Sequence, residues 1–398
     1  MRQARPWVVL VATLTVQALV AMALLTLPVV APVVAKDLNV STTYLGAYVA
    51  LVYFAAMIAS LLGGAGVKRW GAIRLSQAGL VCSGIGLLLC AVPHPAVIAL
   101  GALCIGTGYG PITPASSHLL IKSTPPHQLS LVFSIKQTGV PLGGMIAGAL
   151  IPSLDLLIGW QWAFVSAGAA CVLCALAVQP LQAGLDVDRD PTARPSLMAS
   201  IVTPLRLIFG HKSLRNLSMM SYLFAICQMA LMAYLVTFLF EDLHWSLVAA
   251  GVALTVTQAA GVGGRIIWGY ISDRWLGPAK MLIGLVFMLM VGAVGTSLLT
   301  ADTSPWLLYP ILIIFGASAI GWNGVYLAEI ARQAPSGQAG VATGGTLCIT
   351  FLGVMMGPPF FGMIAGIFKS YGTSYAFLII PAALMLVLLL PLLRKKDA

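Results

Sequence analysis

The sequence predicts an all-α membrane protein of twelve transmembrane helices, arranged as two six-helix bundles related by a pseudo-two-fold axis. Three observations lead to this fold class: the composition, the number of long apolar runs, and a near-repeat of one segment. Of the 398 residues, 60% are apolar and 8% are charged, whereas ordinary soluble domains carry roughly 25% charged residues. The excess apolar surface requires lipid as its solvent.

Long apolar runs define the predicted helices. A transmembrane helix needs about 20 apolar residues, and the chain contains twelve such runs. The first run follows Arg2 and Arg5 but is about twice too long for the core of a secretory signal, so we interpret it as a retained helix. The predicted spans lie near residues 7–35, 43–66, 74–92, 96–121, 130–154, 160–181, 217–240, 247–272, 278–300, 304–330, 338–367 and 372–393.

Two ten-residue segments of the chain are closely similar. Gly139-Val-Pro-Leu-Gly-Gly-Met-Ile-Ala-Gly148 and Gly357-Pro-Pro-Phe-Phe-Gly-Met-Ile-Ala-Gly366 match at seven of ten positions and lie 218 residues apart, each within a long apolar run. Duplicated halves are typical of transporters in which two bundles rock about a central site. We therefore expect the two segments to lie on equivalent helices.

The basic residues predict the orientation in the membrane. Two of the 21 Lys and Arg residues, Lys36 and Lys369, fall on one side, and two more, Lys136 and Arg265, fall within spans. The crowded side is predicted to be cytoplasmic, so both termini are expected inside the cell and the protein in the cytoplasmic (inner) membrane. The net charge of +10 then reflects topology and affinity for anionic lipid headgroups rather than nucleic-acid binding. Seventeen residues make up that side: Arg2, Arg5, Lys68, Arg69, Arg74, Lys122, Arg189, Arg194, Arg206, Lys212, Arg215, Arg274, Lys280, Arg332, Arg394, Lys395 and Lys396.

A polar segment divides the chain. Residues 182–216 are predicted to be a cytoplasmic linker between an N-terminal bundle (1–181) and a C-terminal bundle (217–398), with a short interfacial helix near 200–210. No second soluble domain is expected, which leaves no place for an enzyme site outside the membrane. Cys171 and Cys174 have metal-like spacing but no accompanying ligands, so we predict neither a metal nor another cofactor.

The twelve spans, the half-repeat and the charged loop after span 8 together resemble the major facilitator superfamily. Gly269-Tyr-Ile-Ser-Asp273-Arg274 looks like the signature of that loop. In the equivalent loop after span 2, Lys68 stands where the family usually has Asp, and span 5 resembles the antiporter glycine-proline motif loosely. The resemblance implies alternating access between two conformations. It implies conformational roles for these residues: Lys68, Arg69, Pro141, Gly269, Asp273, Arg274 and Pro358.

Span 8 has a narrower resemblance. Gly264-Arg265-Ile-Ile-Trp-Gly269 followed by Ser272-Asp273 is similar to the oxalate/formate antiporters and monocarboxylate carriers. In those families an arginine at this place binds the substrate carboxylate, which implies that role for Arg265. The chain departs from them in having Gly261 where mammalian carriers have an acid, and no lysine in span 11.

Two buried cations are predicted from the physics of the membrane. An arginine at the bilayer centre costs roughly 2.5–3.5 kcal/mol, and the spans contain almost no acids to pair with Arg265. Lys136 lies at a similar depth in span 5, and the facilitator fold would bring the two residues to one cleft. The alternatives are snorkelling to the interface, or pairing of Arg265 with Glu329.

Further polar and aromatic residues lie at matching depth. They would orient a ligand by hydrogen bonds in a mostly apolar cavity, although each alone is more often a helix–helix contact. His118 and Glu329 are the candidates for a proton-linked role. The substrate-binding candidates beside Arg265 and Lys136 are Gln17, Tyr109, Thr113, Gln137, Gln228, Gln258, Trp322, Asn323 and Tyr326.

Together these patterns predict a monomeric secondary transporter, not an enzyme, that moves a small organic anion such as a monocarboxylate. Proton symport is the first choice of coupling and anion exchange the second. A drug or metabolite exporter is the main alternative, although its cationic substrate would require a buried acid. A membrane sensor without flux is a further alternative, and the full twelve-span repeat argues against it.

Overall fold

Twelve helices in the computed structural model are long and apolar enough to cross a membrane. The structure describes residues 6–40, 44–193 and 196–393, in which the chain is helical and no strand occurs. The twelve predicted spans are confirmed within these residues, with ends displaced by a few positions. They are, as spans 1 to 12, Pro6–Val29, Ala47–Trp70, Ala72–Cys90, Pro95–Ser123, Pro126–Ile158, Trp160–Leu185, Lys212–Asp242, Ala249–Leu276, Pro278–Ser297, Pro305–Gln333, Ala339–Phe368 and Tyr371–Leu392.

Some of the residues used to predict the topology lie outside the described ranges. The orientation in the membrane stays a prediction. The residues concerned are Arg2, Arg5, Arg194, Arg394, Lys395 and Lys396.

Several spans, including spans 4, 5, 10 and 12, are interrupted along their length. Span 4 consists of helices Pro95–Tyr109 and Ile112–Ser123, and span 5 of helices Leu129–Gln137 and Gly139–Ile158. Pro111 lies within the first break, and Pro141 cannot donate a hydrogen bond to the carbonyl of Gln137 four residues earlier, so proline chemistry accounts for both breaks. Irregular backbone inside a membrane is tolerated where it is buried in protein or lines a cavity.

Span 10 is interrupted in the same way. Its helices Pro305–Ala319 and Asn323–Gln333 are separated by Ile320-Gly321-Trp322. Glycine has a high entropic cost in a helix and weakens it at this point. The break frees backbone carbonyls that other side chains must satisfy.

The chain forms two compact units. Unit 1 comprises the described parts of Met1–Pro126, Ile135–Gly210 and Ile330–Cys348, and unit 2 those of His127–Ser134, His211–Glu329 and Ile349–Ala398. Spans 5, 10 and 11 therefore contribute to both units. The division into bundles 1–181 and 217–398 stays a prediction.

The repeated decapeptides pack in corresponding ways. In unit 1, a Cβ built at Gly139 would lie 2.9 Å from the carbonyl oxygen of Leu14 on span 1. In unit 2, a Cβ at Gly357 would lie 3.1 Å from the carbonyl oxygen of Ile226 on span 7. Each copy thus uses a small residue to approach the first span of its half closely.

The predicted short helix after span 6 is present as Leu197–Gly210. It packs in unit 1, where Ile208 is buried and a Cβ built at Gly345 would lie 2.9 Å from its side chain. Met198, Val202 and Phe209 are exposed on its other face. The helix therefore has one face turned to the protein and one apolar face turned outward.

Asp186 holds the segment after span 6 to the beginning of span 3. Its carboxylate oxygens accept hydrogen bonds from the backbone N–H groups of Ile73 (2.9 Å) and Arg74 (3.0 Å), and the side chain is buried. Gly71, which precedes the helix, has a φ of +94° and faces this carboxylate so closely that a Cβ would collide with it. The aspartate thus satisfies two of the four unpaired N–H groups at a helix start and lies at the favourable end of its dipole.

We predict that Asp186→Ala lowers the stability of the protein by about 1–2 kcal/mol, the usual cost of a lost helix cap. Thermal unfolding of the detergent-solubilised protein measures the effect as a lower Tm. Asp302→Asn, at an exposed position, is the control that changes a charge without breaking a cap. Equal Tm values for the two variants would contradict the capping role.

Candidate functional site

Four polar side chains of unit 1 meet where spans 4 and 5 are interrupted. The Lys136 ammonium donates hydrogen bonds to the Oε1 of Gln17 (2.7 Å), the Oε1 of Gln137 (3.0 Å) and the Oγ1 of Thr113 (3.1 Å). Lys136 and Gln17 are each 1% exposed. We call Gln17, Thr113, Lys136 and Gln137 the Lys136 cluster.

The cluster is fully hydrogen-bonded around the ammonium but carries no negative charge. The three ammonium donors match the three neutral oxygens, and the Thr113 hydroxyl donates to the Oε1 of Gln17 at 3.1 Å. Within the described ranges, no carboxylate lies at ion-pair distance from Lys136. A buried charge without a counter-ion is costly, so the cluster is suited to receive an anion. Snorkelling of Lys136 does not occur in the structure, because its side chain is buried.

The local sequence explains how the cluster forms. The break in span 5 follows Gln137, and the second helix of span 4 begins at Ile112, just before Thr113. Gly139 leaves room for Gln17, since a Cβ there would lie 2.9 Å from the Cβ of Gln17. Tyr109 is buried at the other side of the span 4 break. Two proline-associated breaks and one glycine thus place the four polar side chains together.

Arg265 is buried in unit 2 against the interruption of span 10. It is 4% exposed, and its Nε donates to the carbonyl of Ile320 at 3.1 Å. The Trp268 Nε1 donates to the carbonyl of Ala317 at 2.7 Å, so two side chains of span 8 cap the end of helix Pro305–Ala319. A cation at a helix C-terminus is favourable. Arg265 therefore has a structural role at this helix end, and its role in substrate binding stays a prediction.

The predicted aromatic candidates contact one another. In unit 2, Trp322 stacks on Phe224 with ring centroids 4.9 Å apart and lies 5.1 Å from the Tyr326 ring. The Trp322 Nε1 donates to the Oε1 of Gln228 at 3.0 Å, and the Asn323 amide donates to the same oxygen at 3.3 Å. Trp322 and Tyr326 are each 1% exposed. In the structure this group supports the interruption of span 10, and a role in substrate binding stays a prediction.

The signature after span 8 caps the beginning of span 5. The Asp273 carboxylate accepts hydrogen bonds from the backbone N–H groups of Ser130 (3.2 Å) and Leu131 (2.8 Å). Gly269 is buried against Ser134, with a built Cβ 2.8 Å from the Ser134 Cβ, whereas Arg274 is exposed. The contact joins an acid to a helix N-terminus within unit 2, as a conformational latch would.

The corresponding loop after span 2 is organised differently. Lys68 and Arg69 are exposed, and the Arg69 guanidinium lies 5.8 Å from the centre of the Trp70 ring. The Lys68 carbonyl accepts a hydrogen bond from the Asp190 N–H at 2.7 Å. The segment that contains Asp190 therefore contacts this loop, in which Lys68 stands where the family usually has aspartate.

His118 contacts an acid that the sequence assigned only to the linker. Its Nε2 lies 2.8 Å from the Oδ2 of Asp188, and Lys122 contacts the same oxygen. Burial raises the pKa of Asp188, but hydrogen bonds from Lys122 and His118 oppose it and hold that pKa below its ordinary value. The three side chains and Lys68 border a cavity of about 670 Å³ in unit 1. The sequence contained no specific indication of these contacts, because Asp188 appears in it only as one acidic residue of the predicted linker.

The remaining predicted residues occupy varied positions. Gln258 and Pro141 are half-buried, and Glu329 is 7% exposed near the end of span 10. Pro358 lies within span 11, where its carbonyl accepts a hydrogen bond from the Tyr234 hydroxyl at 3.0 Å. The structure brings Gln17, Thr113, Lys136 and Gln137 together. The predicted meeting of Lys136 with Arg265, which belong to different units, stays a prediction.

We predict that Gly139→Ala disturbs the Lys136 cluster, because the added methyl group would collide with Gln17. Overpacking of this kind costs about 1–3 kcal/mol and should appear as a lower Tm and a weaker response to carboxylate ligands. Gly148→Ala is a matched control on the same helix, since a Cβ there meets no atom within 4 Å. Identical behaviour of the two variants would show that Gly139 does not position Gln17.

Comparisons with known proteins agree with this fold. The family model of the Major Facilitator Superfamily matches residues 13–347. A benzoate transport protein of Acinetobacter baylyi is 24% identical over 312 residues, which cover 71% of this chain and 66% of that protein. A gentisate transporter of Corynebacterium glutamicum is 25% identical over 346 residues, 83% of this chain and 74% of the relative. A hexuronate transporter of Bacillus subtilis is 28% identical over 141 residues, 35% of this chain and 33% of the relative.

Solved structures show the same fold. The transporter FucP in the outward conformation has a TM-score of 0.76 at 17% identity, over 96% of this chain and 97% of that one. The human organic anion transporter MFSD10 also has a TM-score of 0.76, at 15% identity, over 98% of this chain and 99% of that one. The twelve spans, the duplicated decapeptide and the family match lead to one conclusion: the chain belongs to the Major Facilitator Superfamily and is a multi-pass membrane transporter, not an enzyme.

Proposed function

We propose that this transporter moves a small organic anion, a monocarboxylate, across the cytoplasmic membrane by alternating access. The observation that carries the proposal is the buried Lys136 ammonium, which is held by three neutral oxygens. A substrate carboxylate would supply the missing negative charge. The ammonium and the carboxylate would then attract each other as opposite charges, and this attraction is strong in a buried site of low dielectric.

An aromatic monocarboxylate is the substrate class we favour. The relatives named for benzoate and gentisate both take their names from a carboxylate on an aromatic ring. Tyr109, buried at the same break of span 4 as Thr113, is a candidate to contact such a ring. Benzoate is therefore the first probe to test.

Arg265 is the second cation of the proposal. Its resemblance to the arginine of monocarboxylate carriers and its burial both support contact with substrate. A guanidinium is also a planar fork of N–H donors whose geometry matches a carboxylate. Recognition of an anion by Arg265 is therefore proposed in addition to its bond to the Ile320 carbonyl.

The proposal also includes the coupling of transport and the residues that change conformation. Proton symport is proposed first, with His118 and Glu329 as proton-linked residues, and anion exchange second. Asp273 with Gly269 and Arg274 would form one latch and Lys68 with Arg69 the other, while Pro141 and Pro358 would bend their spans. We also propose a monomer in the inner membrane, with both termini cytoplasmic and anionic lipid headgroups beside the basic loops.

An exporter of cationic compounds is the alternative function. Glu329 is a buried acid near the end of span 10, and such an acid could bind a cation. Transport of a cationic dye that depends on Glu329, with no response to benzoate, would favour this alternative.

We predict that Lys136→Met lowers benzoate uptake into proteoliposomes about 10- to 100-fold, because a hydrogen bond to a charged group contributes about 1.5–3 kcal/mol. Its Tm should not fall, since the substitution removes a buried charge that lacks a counter-ion. Lys280→Met, at an exposed position, is the matched control. Uptake by Lys136→Met at the rate of the unmodified protein would exclude Lys136 as the carboxylate site.

We predict that Arg265→Gln also lowers benzoate uptake at least about tenfold, with the protein still folded and inserted in the membrane. Lysine is not expected to restore uptake, because it lacks the planar fork of arginine. Uptake and the benzoate-induced rise in Tm should be measured together. If uptake and the rise in Tm are unchanged, Arg265 is only a helix cap.

A further inference from the structure

We propose that Gln17 determines the charge specificity of the Lys136 cluster, because its amide oxygen holds the position on Lys136 that a substrate carboxylate oxygen takes. The inference rests on the proposed function and adds a specific residue and a ligand charge to it. On binding, the Gln17 oxygen leaves the ammonium and the amide group turns. Its NH₂ then donates to the bound carboxylate.

The contacts of Gln17 distinguish it from the other two acceptors. The Lys136–Gln17 contact of 2.7 Å is the shortest of the three ammonium hydrogen bonds. The same Gln17 oxygen also accepts the hydroxyl hydrogen of Thr113. An oxygen that accepts hydrogen bonds from both an ammonium and a hydroxyl group has the surroundings expected of a carboxylate oxygen. The distance from this oxygen to the Lys136 Nζ is also typical of a charge-assisted hydrogen bond.

Gln17 is also the acceptor that can move most easily. Gln137 neighbours Lys136 in the chain at the end of helix Leu129–Gln137, and Thr113 has a short side chain within the first turn of helix Ile112–Ser123. Gln17 reaches the ammonium from span 1 through a long side chain with several rotatable bonds. It can turn without a change in the backbone of any span.

Rotation of the Gln17 amide group would replace a neutral acceptor on Lys136 by an anionic carboxylate and would direct an additional N–H donor to that carboxylate. Both contacts of Gln17 use its oxygen, and a glutamine amide carries two N–H donors as well. After the turn, Lys136 and Gln17 would donate to the same carboxylate, and Thr113 could donate to it instead of to Gln17. The carboxylate would thus receive the donors that the cluster now directs to the glutamine oxygen.

The neutral amide at position 17 sets the charge of the ligand. With glutamine the cluster keeps one positive charge, which one carboxylate neutralises. With an acid at this position the lysine would have a permanent counter-ion, and an anionic ligand would meet a repulsive charge. Specificity in binding sites often depends on such a repulsive element.

The test is Gln17→Glu in the full-length protein, with benzoate as the probe and Tm and equilibrium binding as readouts. We expect the Tm without benzoate to rise by about 2–4 °C, because a buried ion pair replaces an uncompensated charge. Benzoate affinity should fall about 100-fold or more, and the benzoate-induced rise in Tm should disappear. Gln179→Glu, at an exposed position in the same unit, should leave both readouts unchanged.

The outcomes separate this inference from the proposed function. If Gln17→Glu keeps benzoate binding while Lys136→Met loses it, Gln17 does not set the charge, but the carboxylate site stands. If both variants keep binding, the carboxylate site itself is wrong. Loss of binding without a rise in Tm would also overturn the inference, since the new acid would not be acting as a counter-ion.

A neutral variant keeps the inference testable if Gln17→Glu does not fold. Gln17→Met has a similar length but neither the acceptor nor the amide donor. We expect it to weaken benzoate binding about tenfold and to lower the Tm, because Lys136 loses an acceptor. Unchanged benzoate affinity in Gln17→Met would overturn the role assigned to Gln17.

Discussion

The candidate site of unit 1 depends on one constraint, the burial of the Lys136 ammonium among three neutral oxygens. A lysine in this position would be expensive if its three donors were not all used. Span 1 supplies Gln17, span 4 supplies Thr113 and span 5 supplies Gln137. These hydrogen bonds replace the water around the ammonium but do not neutralise its charge, as the proposed carboxylate site requires.

Interrupted helices make this arrangement possible. A continuous helix uses its own backbone groups and offers only side chains, whereas a broken one changes direction and exposes backbone polar groups to partners. Spans 4 and 5 break beside the Lys136 cluster, and span 10 breaks beside Arg265 and Trp322. In each case proline or glycine in the sequence explains the break, and a polar or aromatic group lies next to it. Polar and charged residues inside membrane spans are costly and therefore rare, so their presence is informative about function.

The sequence predicted the fold more completely than the site. Twelve long apolar runs and the duplicated decapeptide are strong signals, since each depends on many residues and on the thickness of a bilayer. The candidate list also contained Gln17, Lys136 and Gln137, because polar residues are conspicuous in apolar spans. The sequence could not predict which oxygens accept hydrogen bonds from the Lys136 ammonium. Those contacts depend on side-chain rotamers and on the helix breaks at Gly110-Pro111 and Thr138.

Other contacts left little trace in the sequence. Asp186 and Asp188 read as ordinary linker acids, yet one caps span 3 and the other contacts His118 and Lys122. Trp322 was predicted as a ligand contact from its depth in span 10, and that role stays a prediction. Its stacking on Phe224 and its hydrogen bond to Gln228 had no signal in the sequence. Long-range pairings of this kind depend on tertiary packing, which a single sequence does not encode in any local pattern.

A structure of the protein determined with bound benzoate would test the carboxylate site most directly. The expected result is a carboxylate oxygen within about 3 Å of the Lys136 Nζ, the distance of a charge-assisted hydrogen bond, with the Gln17 amide turned toward the ligand. A benzoate carboxylate bound elsewhere, with the 2.7 Å contact between Lys136 and Gln17 intact, would contradict it.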